Sequence, residues 1–241
     1  MNAAIEAVTF DFWNTIARVP PGTMSDVRRR AVAAACEAHG VAVEAEMLGR
    51  TLEEVGARYQ GSWEAGEHFH PDEGVEMLVA ALGLEGAARE AVGEAFLGAA
   101  RETEIGLAPD VDQALGALRE RGVRIGIVCD VGFSGGETLR GLLERKGLLG
   151  YFSGWAFSDE VGHYKPSPRI FEAALASLGA QPEAALHIGD LRRTDIAGAA
   201  ALGMRTVRYT GLHDDQDLDS GPEADFVLDS HRDLPDLLDR L

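Results

Sequence analysis

Three apolar segments of this sequence carry an aspartate at or next to their last residue. In chain order they are VTFDF (8–12) with Asp11, GVRIGIVCD (122–130) with Asp130, and AALHIGD (184–190) with Asp190. Short apolar runs of this kind are typical of buried strands. A carboxylate at the end of a buried strand is unfavourable unless it has a partner or a chemical role. These aspartates are therefore the first candidates for a functional site.

Two further charged residues belong with these aspartates. The carboxyl ends of parallel strands meet at one edge of a sheet, where ligands of open α/β folds bind. Asp195 follows Asp190 by five residues, and Lys165 lies in HYKPSP, between the second and third aspartate segments. Crowded carboxylates repel one another unless a hard cation joins them. Asp11 and Asp190 are predicted to share a Mg²⁺ ion, which would also hold a substrate phosphate. Lys165 is predicted to neutralise the charge of an attacking nucleophile and of the phosphoryl group that is transferred.

Strand and helix patterns alternate through the second half of the chain. Additional strand-like runs are SGWAFSDEV (153–161), MRTVRYTG (204–211) and ADFVLDS (224–230). Helical patterns, most of them bounded by proline or glycine, occupy 109–122, 167–179 and 194–203. This alternation predicts a parallel sheet covered by helices. The acidic, turn-rich segment 213–225 is predicted to be a solvated loop.

A block of helical periodicity interrupts the alternation after the first strand. Residues 24–103 place apolar residues at i, i+3 and i+4 spacing, and the flanking sequence is rich in turn residues. The sequence therefore predicts an α/β core domain at 1–18 and 105–241, with a helical cap domain inserted at 19–104. The predicted fold class is a doubly wound parallel sheet, Rossmann-like, with this inserted cap.

The composition disfavours several classes of partner. The chain has 241 residues and a net charge of −18, and nucleic acids and anionic membranes both repel such a protein. No window of about 18 uncharged apolar residues predicts a transmembrane helix, and the N-terminus has no signal-peptide pattern. Cys36 and Cys129 are too few for a disulfide framework or a zinc site. We expect a cytoplasmic protein, monomer or homodimer, whose partner is a small anionic molecule.

Four motifs in order resemble those of the haloacid dehalogenase-like superfamily. They are FDFWNT (10–15), IVCD (127–130), HYKP (163–166) and HIGDLRRTD (187–195). The helical block lies between the first and second motifs, as it does in members with a C1-type cap. The resemblance covers nearly the whole chain and implies a hydrolase with an α/β core and a helical cap.

The resemblance also implies roles for the matching residues. Asp11 matches the nucleophile that forms an aspartyl-phosphate or aspartyl-ester intermediate, and Lys165 matches the catalytic lysine. Asp190 and Asp195 match the acids of the metal site, to which the backbone carbonyl of Trp13 contributes a further Mg²⁺ ligand. The expected substrate-binding residues are Trp13, Asn14, Thr15, Cys129, Asp130 and Arg192.

Several positions depart from the phosphatase pattern. Trp13 stands where phosphatases have a general acid, whose help is typically worth ~10²–10⁴-fold, and where dehalogenases have an aromatic residue. Cys129 replaces a hydroxyl by a weaker donor, and Asp130 places an anion where dehalogenases tend to have asparagine. Asp190, in contrast, favours a phosphatase, because dehalogenases lack the magnesium site to which this aspartate belongs. Arg192 is either an anion clamp or part of a solvated helix start.

Three functions remain open at this point. The favoured one is a Mg²⁺-dependent phosphatase that acts on a small phosphorylated metabolite through an aspartyl-phosphate on Asp11. The second is a 2-haloacid dehalogenase-like hydrolase, in which Asp11 attacks carbon. The third is a binding or regulatory protein with weakened turnover, which Trp13, Cys129 and Asp130 suggest. Among enzymes, a phosphatase is preferred to a dehalogenase.

Overall fold

The protein divides into two compact units in a computed structural model that describes residues 4–101, 103–217 and 221–241. The α/β unit contains the chain up to Arg18, Ile105–Asp130 and Leu143–Leu241. The helical unit contains Val19–Glu104 and Val131–Leu142.

Regular elements alternate in the α/β unit and are helical elsewhere. The strands are β1 (Ala7–Phe10), β2 (Ala17–Arg18), β3 (Gly106–Leu107), β4 (Arg124–Cys129), β5 (Gly154–Phe157), β6 (Ala185–Gly189), β7 (Arg205–Tyr209) and β8 (Phe226–Leu228). The helices are α1 (Thr23–Ala38), α2 (Ala45–Ala65), α3 (Pro71–Ala81), α4 (Gly86–Gly98), α5 (Val111–Glu120), α6 (Gly136–Arg145), α7 (Ser158–Val161), α8 (Pro168–Leu178), α9 (Ala197–Ala201) and α10 (Leu234–Leu238).

Within the described residues, six parallel strands form one sheet in the order β5-β4-β1-β6-β7-β8. Strand β1 is central, and Phe10 lies between Ile127 of β4 and Ile188 of β6. Every residue of β1 and β6 is buried, as in parallel sheets covered on both faces. The predicted doubly wound α/β fold is confirmed, and its order brings the ends of β1, β4 and β6 side by side.

Helix α8 shows how the sequence fits helices onto this sheet. It begins at Pro168 and ends at Leu178, and Gly179 caps it with a left-handed φ of 62°. Its Leu178 packs so closely on the sheet that a Cβ on Gly154 would lie 2.5 Å from the leucine side chain, and one on Gly126 would lie 2.9 Å away. The glycines of β4 and β5 therefore allow the contact between helix and sheet.

A small antiparallel pair marks where the chain leaves and re-enters the α/β unit. Strand β2 pairs with β3, with Ala17 opposite Leu107 and Arg18 opposite Gly106. Because both strands belong to the α/β unit, the start and the end of the long helical insertion are held together by backbone hydrogen bonds. The turn-rich segments that the sequence shows at 19–22 and 105–109 adjoin this pair.

Four helices, α1 to α4, build most of the helical unit. Helix α1 packs against α2 and α4, and α3 packs against α2 and α4. The apolar positions of the 3.6-residue pattern meet in one cluster, as expected for amphipathic helices. Its buried members are Val32, Cys36, Leu48, Val55, Leu78, Val79, Leu84, Val92 and Phe96. Among the described helices of the chain, none is long and apolar enough to cross a membrane.

The segment Val131–Leu142 corrects the domain boundary expected from the sequence. The sequence assigns this segment to the α/β core, whereas the structure groups it with the helices. The physical reason is Phe133, whose ring centroid lies 5.0 Å from that of Phe96 and 5.2 Å from that of Tyr59. This aromatic packing joins the segment to the core of the helical unit.

The acidic segment 213–225, predicted to be a solvated loop, is mostly exposed and has no helix or strand among its described residues, and two buried arginines anchor it. Arg208 bonds Glu223 Oε1 at 2.9 Å and Asp214 Oδ1 at 2.5 Å. Arg192 Nη2 bonds Glu223 Oε2 at 2.5 Å. Residues 218–220 of the segment lie outside the described residues. The predicted loop is confirmed for the described residues of the segment, and the two arginines are anchors that the sequence did not show.

Candidate active site

A buried lysine joins two aspartates at the carboxyl edge of the sheet. Asp11 directly follows β1, and Lys165 Nζ donates to Asp11 Oδ1 at 2.5 Å and to Asp195 Oδ1 at 2.7 Å. The three residues are at most 6% exposed. The structure thus brings together three of the residues that the sequence singled out, from three different strand ends.

Burial and neighbouring charges set the protonation of this cluster. Burial raises the pKa of Asp11 well above its usual value, Lys165 opposes this, and the carboxylates of Asp195 and Asp190 raise it further. Burial alone would lower the pKa of Lys165, but Asp11 and Asp195 raise it well above its usual value. Lys165 is therefore a cation, and Asp11 is the carboxylate that most needs another positive charge nearby.

Asp195 is held by the protein on both carboxylate oxygens. Burial opposes its ionisation, but Lys165 and a hydrogen bond from His187 lower the pKa of Asp195. His187 Nε2 lies 3.2 Å from Oδ1, and the backbone N–H of Leu191 donates to Oδ2 at 3.1 Å. Gly189 makes this possible, since a Cβ there would lie 2.2 Å from the carboxyl carbon of Asp195. Asp195, which the sequence assigns to the metal site, here contacts Lys165 directly, and a role beside a metal ion stays a prediction.

Asp190 ends β6 and contacts a histidine that the sequence did not single out. His213 Nδ1 donates to Asp190 Oδ2 at 2.8 Å. Burial raises the pKa of Asp190, and the bond from His213 opposes this rise. The described residues contain no group of three or more His, Cys, Asp or Glu side chains arranged to hold a metal ion. A Mg²⁺ site needs fewer, because this ion usually keeps several waters beside one or two carboxylates.

The turn after β1 places the next three candidate residues. Asn14 has a left-handed backbone with φ of 58°, and its N–H donates to the carbonyl of Ala17 at 2.8 Å. Trp13 is half-buried and packs edge-on against Phe12, with ring centroids 4.8 Å apart. Thr15 is buried, and its hydroxyl has no hydrogen-bond partner among the described residues.

The two residues at the end of β4 differ in environment. Cys129 is fully buried, and burial together with the charge of Asp11 raises the pKa of its thiol well above the usual value. Cys129 is therefore a neutral thiol. Asp130 accepts a hydrogen bond from the backbone N–H of Lys165 at 3.0 Å. Its carboxylate thus positions the segment that carries the lysine.

Arg192, expected as a substrate-binding residue, is occupied within the protein. Its Nε donates to the backbone carbonyl of Asp215 at 3.1 Å, and its Nη2 pairs with Glu223. A buried guanidinium with these partners is not free to clamp an anionic substrate. Its burial excludes the solvated helix start that the sequence left open, and a contact with substrate stays a prediction.

Comparison with known proteins agrees with this geometry. A family model described as haloacid dehalogenase-like hydrolase matches residues 5–203 of the chain. The chain belongs to the haloacid dehalogenase-like hydrolases. The resemblance to this superfamily is thereby confirmed, and so is a hydrolase as the general class. The family match alone does not distinguish a phosphatase from a dehalogenase.

Individual relatives of this hydrolase have names of both kinds. Glyceraldehyde 3-phosphate phosphatase of Methanopyrus kandleri is 36% identical over 135 residues, which cover 55% of this chain and 57% of that protein. (S)-2-haloacid dehalogenase 1 of a Pseudomonas species is 32% identical over 138 residues, 57% of this chain and 59% of that one. The matches thus span less than two thirds of these relatives.

A solved structure extends the likeness over the whole fold. The crystal structure of 2-haloacid dehalogenase from Pseudomonas syringae pv. Tomato DC3000 has a TM-score of 0.74 and 24% sequence identity, and the match covers 98% of this chain and 99% of that one. At this identity the likeness shows the shared fold alone. The reaction of this haloacid dehalogenase-like hydrolase must be argued from its own residues.

Three histidines support the site of this hydrolase and were missed by the sequence. His187 Nδ1 accepts a hydrogen bond from the Thr9 hydroxyl at 2.9 Å, and its Nε2 contacts Asp195. The imidazole ring thus links Asp195 to strand β1. His213 contacts Asp190, as described above. His231 Nε2 donates to the carbonyl of Thr15 at 2.8 Å and fixes the turn after β1. His187 lies within a motif, but His213 and His231 stand alone in the sequence and carry no local signal.

His231 makes the stability of this hydrolase depend on pH. Burial lowers the pKa of His231 from 6.5 to about 4. Its contribution to stability is therefore complete above pH 6.5 and is lost as the pH falls towards 4, because the unfolded chain takes up the proton first. At about pH 5 the expected loss from this residue is about 2 kcal/mol.

Urea unfolding at about pH 7.5 and about pH 5 measures this loss. Between these two pH values the free energy of unfolding should fall in both proteins. The fall should be about 2 kcal/mol smaller in His231→Gln than in the wild type. His39→Gln, which changes an exposed histidine, serves as the control and should follow the wild type. Equal pH dependence of the wild type and His231→Gln would show that His231 is not buried in its neutral form.

Proposed function

We propose that the chain is a Mg²⁺-dependent phosphatase that acts on a small phosphorylated metabolite through an aspartyl-phosphate on Asp11. The observation that carries this proposal is the surplus of buried carboxylate at the sheet edge. Asp11, Asp190 and Asp195 are buried there, and the only buried lysine among the described residues is Lys165. Such a surplus favours a divalent cation, which phosphatase chemistry uses and dehalogenation does not need.

The residues present fit a magnesium ion. Lys165 bonds only Oδ1 of Asp11, and His213 bonds only Oδ2 of Asp190, so each carboxylate keeps one oxygen without a hydrogen bond to the described residues. These two carboxylates and the backbone carbonyl of Trp13 would hold the ion. When bound, it would neutralise negative charge on the phosphoryl oxygens. Its charge would also lower the raised pKa of Asp11 and keep that carboxylate ionised.

The reaction then divides between two residues of the chain. The ionised Asp11 attacks phosphorus in line, the P–O bond to the leaving group breaks, and that oxygen departs with the electron pair. Lys165, held beside Asp11, stabilises the negative charge of the transferring group. Water then attacks the aspartyl-phosphate, releases inorganic phosphate and restores Asp11. Trp13 has no acidic group, so the leaving oxygen takes its proton from water, and good leaving groups should react fastest.

An assay of the purified full-length chain tests the proposal. Phenyl phosphate, acetyl phosphate and 2-chloropropionate would each be supplied with magnesium and, separately, with a chelator. The proposal requires phosphate release that depends on magnesium. Chloride release that resists the chelator would instead support attack on carbon. If the chain binds these substrates but turns none of them over, the result would support a regulatory protein and contradict the proposal.

Dehalogenase chemistry is the second candidate, and Trp13 favours it. An aromatic side chain beside the nucleophile suits a halide leaving group, which needs no proton, and a relative named (S)-2-haloacid dehalogenase 1 is among the matches. Asp190, held by His213, is the feature that this chemistry leaves unexplained.

Replacing Trp13 by aspartate should raise the phosphatase rate. The new carboxyl group would supply the missing proton to the leaving oxygen, with a gain of up to ~10²-fold in kcat on an alkyl phosphate. The gain should be smaller on phenyl phosphate, whose leaving group needs less help. The measurement is phosphate release from both substrates under the same magnesium concentration.

Trp13→Phe provides the matched control for this prediction. It keeps an aromatic ring against Phe12, which contacts Trp13 edge-on, but adds no acid. Its rate on the alkyl phosphate should stay close to that of the wild type. A Trp13→Asp variant that is slower than a measurable wild-type rate would contradict the role assigned to position 13.

A further inference from the structure

A buried arginine in the helical unit has no anionic partner among the residues that the structure describes. Arg28 of α1 is 9% exposed, and its Nε donates to the backbone carbonyl of Phe96 at 3.1 Å. Its guanidinium carbon lies 5.1 Å from the ring centroids of both Phe96 and Phe133. Among the described residues, no carboxylate lies within ion-pair distance of Arg28. Burial lowers the pKa of Arg28 from its usual value to about 10.

An unpaired buried cation is an unfavourable way to build a core. The two aromatic rings attract the guanidinium, but an apolar side chain of similar length would fill the same space without desolvating a charge. The position of Arg28 is therefore better explained by a ligand than by the stability of the helical unit. Buried groups that reduce stability in this way are common at binding sites.

Arg28 faces an open cavity in the helical unit. The cavity has a volume of about 310 Å³, and α1, α2, Phe96 and Phe133 line it. Gly49, Leu52 and Gly56 of α2 also line it, at the spacing of one helix face. A Cβ on Gly49 or Gly56 would meet no atom within 4 Å. Packing therefore does not explain these glycines, which weaken a helix relative to alanine and leave the cavity open.

The lining of the cavity indicates the chemical class of its ligand. Phe96, Phe133 and Leu52 supply apolar walls, and Arg28 supplies a buried cation. Two carboxylates also line the cavity. Asp26 is paired with Arg29 at 2.8 Å, and Glu53 is exposed, so that solvent screens its charge. A planar guanidinium matches the two oxygens of a carboxylate, and the volume is at the lower end of small-molecule sites.

We propose that the helical unit binds a small organic carboxylate with an apolar or aromatic body in this cavity, with Arg28 as its anion partner. Binding of a carboxylate here does not depend on the phosphatase activity proposed for Asp11, because every residue that carries it belongs to the helical unit. Benzoate is a suitable probe, and benzamide is its neutral counterpart of nearly the same shape.

Calorimetric titration of the full-length chain with both probes tests the site. Benzoate should bind and benzamide should bind at least ten-fold more weakly. Arg28→Met should weaken benzoate binding ten-fold or more, which is the loss expected for a charge-assisted pair. Arg30→Met changes an exposed arginine of the same helix and should bind benzoate like the wild type.

Two further measurements separate binding from a structural role of Arg28. Urea unfolding should show that Arg28→Met is at least as stable as the wild type. Gly56→Leu, which leaves Arg28 in place and fills the cavity, should also weaken benzoate binding ten-fold or more. Equal binding of benzoate and benzamide, unchanged binding by Arg28→Met, or no benzoate binding by the wild type would each overturn the proposal.

Discussion

Asp11→Asn should abolish turnover while leaving the protein at least as stable as the wild type. The amide cannot form the covalent intermediate, so kcat on acetyl phosphate should fall by about 10³-fold or more. Binding of the substrate should change much less, because Lys165 and Asp190 remain. Phosphate release under saturating magnesium measures the loss.

The stability half of this prediction follows from the environment of Asp11. Burial raises its folded pKa well above the usual value of 3.8, so ionisation is less favourable in the folded chain than in the unfolded one. Above pH 3.8 the residue therefore subtracts from stability, and the subtraction grows until the folded pKa is passed. An asparagine of the same shape removes this cost, and Lys165 keeps its pair with Asp195 at 2.7 Å.

Asp236→Asn, which alters an exposed aspartate of α10, is the control for both measurements. It should change neither the rate nor the urea midpoint. Asp11→Asn with near wild-type turnover would exclude Asp11 as the nucleophile. Asp11→Asn that is clearly less stable would mean that the carboxylate of Asp11 contributes to folding through Lys165, contrary to the pKa argument.

Lys165→Met should lose both activity and stability, unlike Asp11→Asn. Methionine has a similar length and no charge, so Asp11 and Asp195 would remain buried together without their cation. Removing one member of a buried ion pair typically destabilises a protein by about 3–5 kcal/mol. Turnover should fall below detection for two reasons, since the charge-stabilising group is missing and Asp11 is harder to ionise.

The pH dependence of this variant identifies the cause of its instability. The stability deficit should be largest near neutral pH and should shrink as the pH falls, because the two carboxylates can then take up protons in the folded state. Lys165→Met combined with Asp195→Asn should recover much of the stability and none of the activity. Lys146→Met, which removes the other lysine of the chain, is the control. A deficit independent of pH would indicate lost packing instead of uncompensated charge.

The fold and the centre of the site follow from local patterns. The strand-like runs, several of which lead to a charged residue, predict the strands and their order along the chain. The geometry of parallel sheets then places Asp11, Lys165 and Asp195 at one edge. The glycine at position 189 suggests that another group packs closely against the backbone there. The sequence does not say that this group is the side chain of Asp195.

Long-range pairs account for most of what the sequence did not show. His231 meets Thr15 across 216 positions of sequence, and Arg208 and Arg192 meet an acidic segment that resembles any solvated loop. Neither contact produces a periodicity or a motif, because each depends on side chains that converge only after the sheet has formed. The same holds for Arg28, which in the sequence is one of three consecutive arginines on a helix.

The membership of Val131–Leu142 in the helical unit has a consequence for hybrid proteins. An exchange that grafts residues 19–104 of a relative onto this α/β unit would transfer one part of a two-part module. Phe133 would stay behind, although its ring packs on Phe96 and Tyr59 of the segment that is removed. A stable chimera should therefore take both segments from the same parent, which requires two crossovers more than an exchange of residues 19–104 alone.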